Sequence, residues 1–167
     1  MERSFHHGRG MVFLMLALSA CMPRFFHEIR MDAFVQATED EEKVLRALVS
    51  LCGGIEAGGI ERMETEGVHS NPIIILRVRV RKEREIRELL ERWKGMKFWR
   101  ESFNDVEDRL DGDLVFHVRV DKSSCLEGEP SLWKSGEAID IRLKIAAYPA
   151  SRDRARSTLM EHAAPDR

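Results

Sequence analysis

The sequence predicts an α+β domain: a mainly antiparallel twisted sheet of about five strands with helices on one face, in the element order βαββααββα. Three observations carry this. Residues 73–81, 114–121 and 139–145 alternate apolar and polar side chains with period two, the signature of half-buried strands. The stretches after the first and the last of these strands switch to helical spacing, and Asn71-Pro72, Asp111-Gly112 and Tyr148-Pro149 mark the points of change.

Taken in order, Phe25 to Gln36 reads as a ragged strand ending in Ala33-Phe34-Val35. Thr38-Glu39-Asp40-Glu41 has the form of a capping box, with the Thr38 hydroxyl accepting from the Glu41 N–H. The helix it opens buries Val44, Leu45, Leu48 and Val49, and Gly53-Gly54 stops it. Residues 58–66 form a weaker, polar strand suited to a sheet edge. After the turn at Asn71-Pro72, Ile74, Leu76, Val78 and Val80 face the core while Ile73, Ile75, Arg77, Arg79 and Arg81 face away. A basic amphipathic helix follows, with Ile86, Leu89, Leu90 and Trp93 as its apolar stripe.

Gly95 separates that helix from a second, whose stripe is Trp99, Phe103, Val106 and Leu110 and whose exposed side carries Glu101, Asp105, Glu107 and Asp108. Leu114, Phe116, Val118 and Val120 line one face of the next strand, with Val115, His117, Arg119 and Asp121 on the other. A loop from Ser123 to Gly136 leads to the last strand, with Ile139, Ile141, Leu143 and Ile145 inward and Asp140, Arg142 and Lys144 outward. The final helix starts near Ser151 and packs Ala155 and Leu159. Residues 163–167 read as a disordered tail, so the domain is expected to span 22–162.

The length of 167 residues suits one domain with a substantial core. A net charge of −2 offers no global attraction for nucleic acid, so any such role must come from where the charges sit. Cys21, Cys52 and Cys125 are odd in number and lack metal-ligand spacing, which fits free thiols in a reducing cytoplasm. The first 21 residues hold basic residues, the apolar run from Met11 to Leu18, and Ser19-Ala20-Cys21, a lipoprotein-signal pattern too short to span a membrane. A translation start at Met22, or at Met11, is the favoured reading; an exported lipoprotein is the alternative, and only then is a membrane partner expected.

Cations stand opposite the apolar stripe on three strands: Arg77, Arg79 and Arg81; His117 and Arg119; Arg142 and Lys144. Lys82, Arg84 and Lys122 extend the set. If the strands are neighbours, these side chains form one basic surface, and guanidinium groups suit phosphate because their planar fork donates two parallel hydrogen bonds. The competing reading is a solvated sheet face balanced by acids such as Asp121 and Asp140. Ile73 and Ile75 on the same side call for cover by a helix or a second subunit. No nucleophile elbow, HExxH, phosphate loop or dinucleotide fingerprint occurs, His69 reads as a turn residue, and neither catalysis nor a cofactor is expected.

Gln36 to Val44, the turn from Gly67 to Ile73, Arg81-Lys82-Glu83 to Ile86, Asp121-Lys122, and Lys144 to Ala150 with Tyr148-Pro149-Ala150 occur in an order and spacing that resemble an archaeal family of RNA-binding proteins, or predicted exosome subunits. The resemblance runs from Phe26 to Leu159. It implies a cytoplasmic, often dimeric α+β protein, similar in fold to a ribosomal protein that contacts the small RNA of the large subunit. It also implies RNA, and exosome or ribosomal components, as partners, without catalytic activity. Ser123-Ser124-Cys125-Leu126 departs from the family's Gln-Glu-Ala-aromatic stretch, so no role tied to that loop is carried over. The expected function is non-catalytic RNA binding linked to RNA processing, through phosphate contacts on the basic face. The alternative is an interaction or dimerisation subunit, with Ile73 and Ile75 as interface core.

Overall fold

The computed structural model describes residues 24–54, 59–67 and 71–166. The lipoprotein pattern, the start at Met22, Cys21 and His69 lie outside the described residues. The strands are β1 (Phe26–Val35), β2 (Ile60–Glu66), β3 (Pro72–Val80), β4 (Val115–Asp121) and β5 (Ala138–Ile145). They hydrogen-bond in the order β2-β3-β1-β5-β4, and every pair is antiparallel.

Period-two alternation puts Ile29, Met31, Ala33 and Val35 of β1, Leu76, Val78 and Val80 of β3, Phe116, Val118 and Val120 of β4, and Ile139, Ile141, Leu143 and Ile145 of β5 into one core. The helices α1 (Glu41–Cys52), α2 (Glu83–Lys94), α3 (Lys97–Ser102), α4 (Val106–Arg109), α5 (Lys122–Leu126) and α6 (Arg152–His162) complete the chain. Ile86, Leu89, Leu90 and Trp93 of α2 are all buried, as their spacing requires. Trp93, Phe98, Trp99, Phe103 and Phe116 form an aromatic cluster in which Trp93 and Trp99 lie 5.2 Å apart and Trp99 and Phe116 meet edge to face at 5.9 Å. Both buried indoles are satisfied: Trp93 donates to the Leu51 carbonyl and Trp99 to that of Ala163.

Five details differ from the sequence reading. The cap of α1 is Asp40, not Thr38; its carboxylate accepts from the N–H groups of Glu42 and Lys43, and Glu39 is turned away to accept from Gln36. The buried stripe of α1 is Val44, Ala47, Leu48, Leu51 and Cys52, so Val49 is exposed, because the face presented to the sheet is rotated toward the small Ala47. Gly53, at φ 67°, does end this helix in the left-handed region. The segment after Gly95 is three short pieces, α3, a 3₁₀ turn (Phe103–Asp105) and α4, bent so that Trp99 and Val106 both reach the core. The loop after β4 opens with α5, capped by Asp121. Ala163, expected in a loose tail, is fully buried, with its carbonyl held by Trp99.

Candidate nucleic-acid interface

The sheet face opposite the helices is built by cross-strand pairing. Because β1 lies between β3 and β5, the basic strands β3 and β5 are not adjacent, and β1 supplies the missing residues. Its own alternation puts Glu28, Arg30 and Asp32 on the open face. Arg30 pairs across with Arg79 on one side and Arg142 on the other, and Arg142 pairs with His117. Arg79, Arg30, Arg142 and His117 therefore form a continuous row across four strands.

The next row is mixed: Glu61, Arg77, Asp32, Asp140 and Arg119. Asp32, only 3% exposed, accepts from Arg77 at 2.6 and 3.2 Å. This bidentate bond raises the Arg77 pKa and commits its guanidinium to the fold. Arg119 is paired through its Nε with Asp140 at 2.9 Å, and Arg81 through its Nε with Glu28 at 2.6 Å.

The three arginines of the first row are held more loosely. The Arg30 Nε lies 3.3 Å from Asp32 but off the hydrogen-bonding angle, and the Arg79 Nε is 3.6 Å from Glu61. Both Nε atoms are buried without a hydrogen-bond acceptor. Burial lowers the Arg30 pKa, Asp32 opposes this, and Arg142, Arg77 and Arg79 add to the lowering. Among the described residues Arg142 has no ion-pair partner. Like charges directly opposite in a sheet are unfavourable, so this row costs stability.

Arg30, Arg142 and His117 of this row line a depression of about 580 Å³ together with Arg24, Arg81, Lys144, His27 and Glu28, and Arg79 lies outside it. Five Arg and Lys residues face three carboxylates there, Glu28, Asp111 and Asp113, so this patch is positive although the chain as a whole is not. His27 is exposed where the pairing of β1 with β5 slips between Phe26 and Glu28, and such bulges re-aim side chains. The Asp111 turn forms one rim. One Asp111 oxygen accepts from the N–H groups of Asp113 and Val115, and the other is 2.6 Å from the His117 Nε2. Partial burial pushes the Asp111 carboxyl up, but His117 and the two backbone donors outweigh it and hold the group below its ordinary value. The Lys144 ammonium donates to the Asp113 carbonyl.

Of the expected cations, Arg79, His117 and Arg142 are brought into one row, with Arg81 and Lys144 beside them. Arg77 and Arg119 share the face but are bound to carboxylates. Lys82 and Arg84 belong to the start of α2 in the helix layer and pair with Glu85 and Glu88. Lys122 does not join them: it is 5% exposed, and its ammonium donates to the Phe34 carbonyl, to both oxygens of Glu39 and to Glu137. It clamps the end of β1 to the starts of α5 and β5.

Sequence reasoning missed Arg24, His27 and Arg30, although Glu28, Arg30 and Asp32 alternate with Ile29, Met31 and Ala33; the bulge at His27 breaks the period and hides the pattern. It also missed Trp133, which pairs beside Arg119 at the edge of the face. The far end of the face is apolar, where Ile75 sits between Met63 and Phe34. Among the described residues no group of His, Cys, Asp and Glu is arranged to hold a metal ion, and no helix is long and apolar enough to cross a membrane.

A family model described as RNA binding matches residues 28–145, from the first open-face residue of β1 to the end of β5. RNA-binding protein PAB1135 of Pyrococcus abyssi is 32% identical over 133 residues, covering 76% of this chain and 86% of that protein. Among solved structures, Mth689, a DUF54 protein from Methanothermobacter thermautotrophicus, matches with a TM-score of 0.70 at 35% identity over 83% of this chain and 98% of its own. AF2318 from Archaeoglobus fulgidus, also DUF54, matches with a TM-score of 0.73 at 30% identity over 81% and 98%.

Proposed function

This chain belongs to the archaeal family described as RNA binding, and from that premise we propose that it holds RNA by its phosphates along the cation row of the open sheet face. The observation that carries this reading is the row Arg79-Arg30-Arg142-His117. Four adjacent strands place cationic or titratable side chains directly opposite one another, an arrangement that cross-strand energetics oppose. A bound phosphate supplies the missing counter-charge, and Arg30 and Arg142 have donors free to meet it. The neighbouring acids limit how much of the face takes part, since Arg77 and Arg119 are already bound to carboxylates.

Contacts of this kind position RNA without reading its sequence. No step in the reading is catalytic. Association with exosome or ribosomal components would follow from RNA held in common, and would be lost from a pull-down after nuclease treatment.

The test is fluorescence anisotropy with a labelled single-stranded RNA over a salt series. Each phosphate contact contributes about −0.7 to the slope of log K against log salt. The folded Arg30→Ser/Arg142→Ser variant should bind more weakly with a slope shallower by roughly 1.4. Equal affinity and slope in the two proteins would remove RNA from this face.

A second reading has its own observation. Phe34, Ile75 and Met63 are half-buried side by side at the apolar end of the same face. A second copy of the chain would cover them, leaving the basic end free. Sedimentation that reports a monomer at high concentration, unchanged by Ile75→Asp, would exclude it.

A further inference from the structure

Of the three tryptophans, Trp93 and Trp99 are fully buried, while Trp133 is 36% exposed. Residues 131–133 run along the outer edge of β4. Trp133 donates its N–H to the Arg119 carbonyl at 2.9 Å, Leu132 bridges Val120, and Asp121 donates to the Ser131 carbonyl at 3.0 Å. In an antiparallel pairing, directly opposed residues share a face. Trp133 opposite Arg119 therefore lies on the open face, at the end of the row that runs beside the cations.

Its ring is held in place. The indole Nε1 donates to the Gly136 carbonyl at 2.8 Å, and the Arg119 guanidinium lies 5.5 Å from the ring centroid, itself fixed by Asp140. Trp133 packs into no core. It is an aromatic surface with a cation over one face of the ring, set by pleat geometry about 12 Å from Arg142 in backbone position.

We propose that Trp133, with Arg119, is the base-stacking end of the RNA site: an unpaired nucleobase lies on the indole while neighbouring phosphates rest on Arg142 and Arg30. This rests on the phosphate-binding reading above and adds to it a ligand class. A base inside a duplex has both π-faces taken by its neighbours, whereas an unpaired base offers one to an aromatic side chain. The site thus selects single-stranded segments, and it does so without regard to sequence, since every base has a π-face.

Trp133 is the exposed indole, so quenching of the solvent-exposed part of the tryptophan emission reports on it directly. The experiment titrates the full chain with a single-stranded oligoribonucleotide and with a hairpin duplex of the same composition, following anisotropy and tryptophan emission together. Wild type is set beside Trp133→Leu and Trp133→Phe, each checked for fold by circular dichroism. The expected result is quenching by the single strand, a loss of about 5- to 150-fold in single-strand affinity for Trp133→Leu, and recovery of most of it in Trp133→Phe. The salt slope should stay as it is, because stacking releases no counterions. Duplex affinity should not change.

RNA bound with a normal salt slope but without quenching, and with Trp133→Leu unchanged, would overturn the stacking site and leave the phosphate row standing. Equal losses for single strand and duplex would also overturn it, pointing to a displaced edge segment. RNA bound by no variant and not by wild type would overturn the phosphate reading, and the stacking site with it.

Discussion

Asp32→Asn separates a phosphate-binding face from a merely solvated one, because it should move stability and RNA affinity in opposite directions. Asp32 is buried beneath Arg77 and Arg30, accepting two hydrogen bonds from the first and pairing with the second at 3.3 Å. Removing one member of a buried ion pair costs about 3–5 kcal/mol. Asparagine keeps one acceptor, and the Arg77 and Arg30 side chains retain 17% and 25% exposure, so a loss of about 2–3 kcal/mol is expected. With a urea m-value of about 1–3 kcal/mol/M, the unfolding midpoint should fall by roughly 0.7–3 M.

The same substitution removes a negative charge lying diagonally from Arg142, about 8 Å away in backbone position by strand spacing and rise, and that separation sets the scale for the proposed phosphate. Coulomb repulsion at that distance is about 0.5 kcal/mol in bulk water and about 2 kcal/mol at the effective dielectric of a protein surface. RNA should bind about 2- to 30-fold more tightly at low salt. Urea denaturation and anisotropy on one preparation measure both quantities. A folded Asp32→Asn protein that binds RNA with unchanged or lower affinity would refute the placement of phosphate on this row.

Lys122→Met should destabilise the fold by about 2–4 kcal/mol in urea, because Glu39 loses its buried counter-ion and the Phe34 carbonyl its donor, while RNA affinity stays unchanged; a large loss of RNA binding in the folded variant would put Lys122 back at the interface. The Asp111 carboxyl is held low in the folded state, so its contribution is present above the ordinary carboxylate value of about 3.9 and is lost as pH falls through the lower folded value. In thermal melts, the deficit of Asp111→Asn should therefore be full at pH 6 and shrink as pH falls below the ordinary carboxylate value; a deficit that grows on acidification would contradict this. Burial pushes the Cys52 and Cys125 thiols up to about 12, leaving roughly 0.01% thiolate at pH 8. Iodoacetamide followed by peptide mass spectrometry should label both only in urea, and native labelling of either would show that its pocket opens.

The sequence by itself determines what is local. Period-two alternation identified β3, β4 and β5 and the face each turns to the core, since that face is set within a few residues. Helical spacing identified all four buried residues of α2, and Ser151 was correctly placed at the start of α6. Alternation alone puts Arg77, Arg79, His117, Arg119, Arg142 and Lys144 on the outward face, which the register bears out.

Only the tertiary structure decides which of those residues meet. Strand order is a non-local choice, and nothing within β3 or β5 announces that β1 will lie between them. That insertion brings in Arg30 to complete the cation row and Asp32 to bind Arg77. Lys122 follows an exposed-looking Asp121 in sequence, yet it is buried because Glu39, 83 residues away, turns out to be its partner. Trp133 reads as part of a loop and becomes part of the face when its segment pairs with the edge of β4. The physical reason is the same in each case. Propensity and periodicity act over one or two turns of chain, whereas charge pairing and burial depend on contacts that exist only once distant strands have taken their places in the sheet.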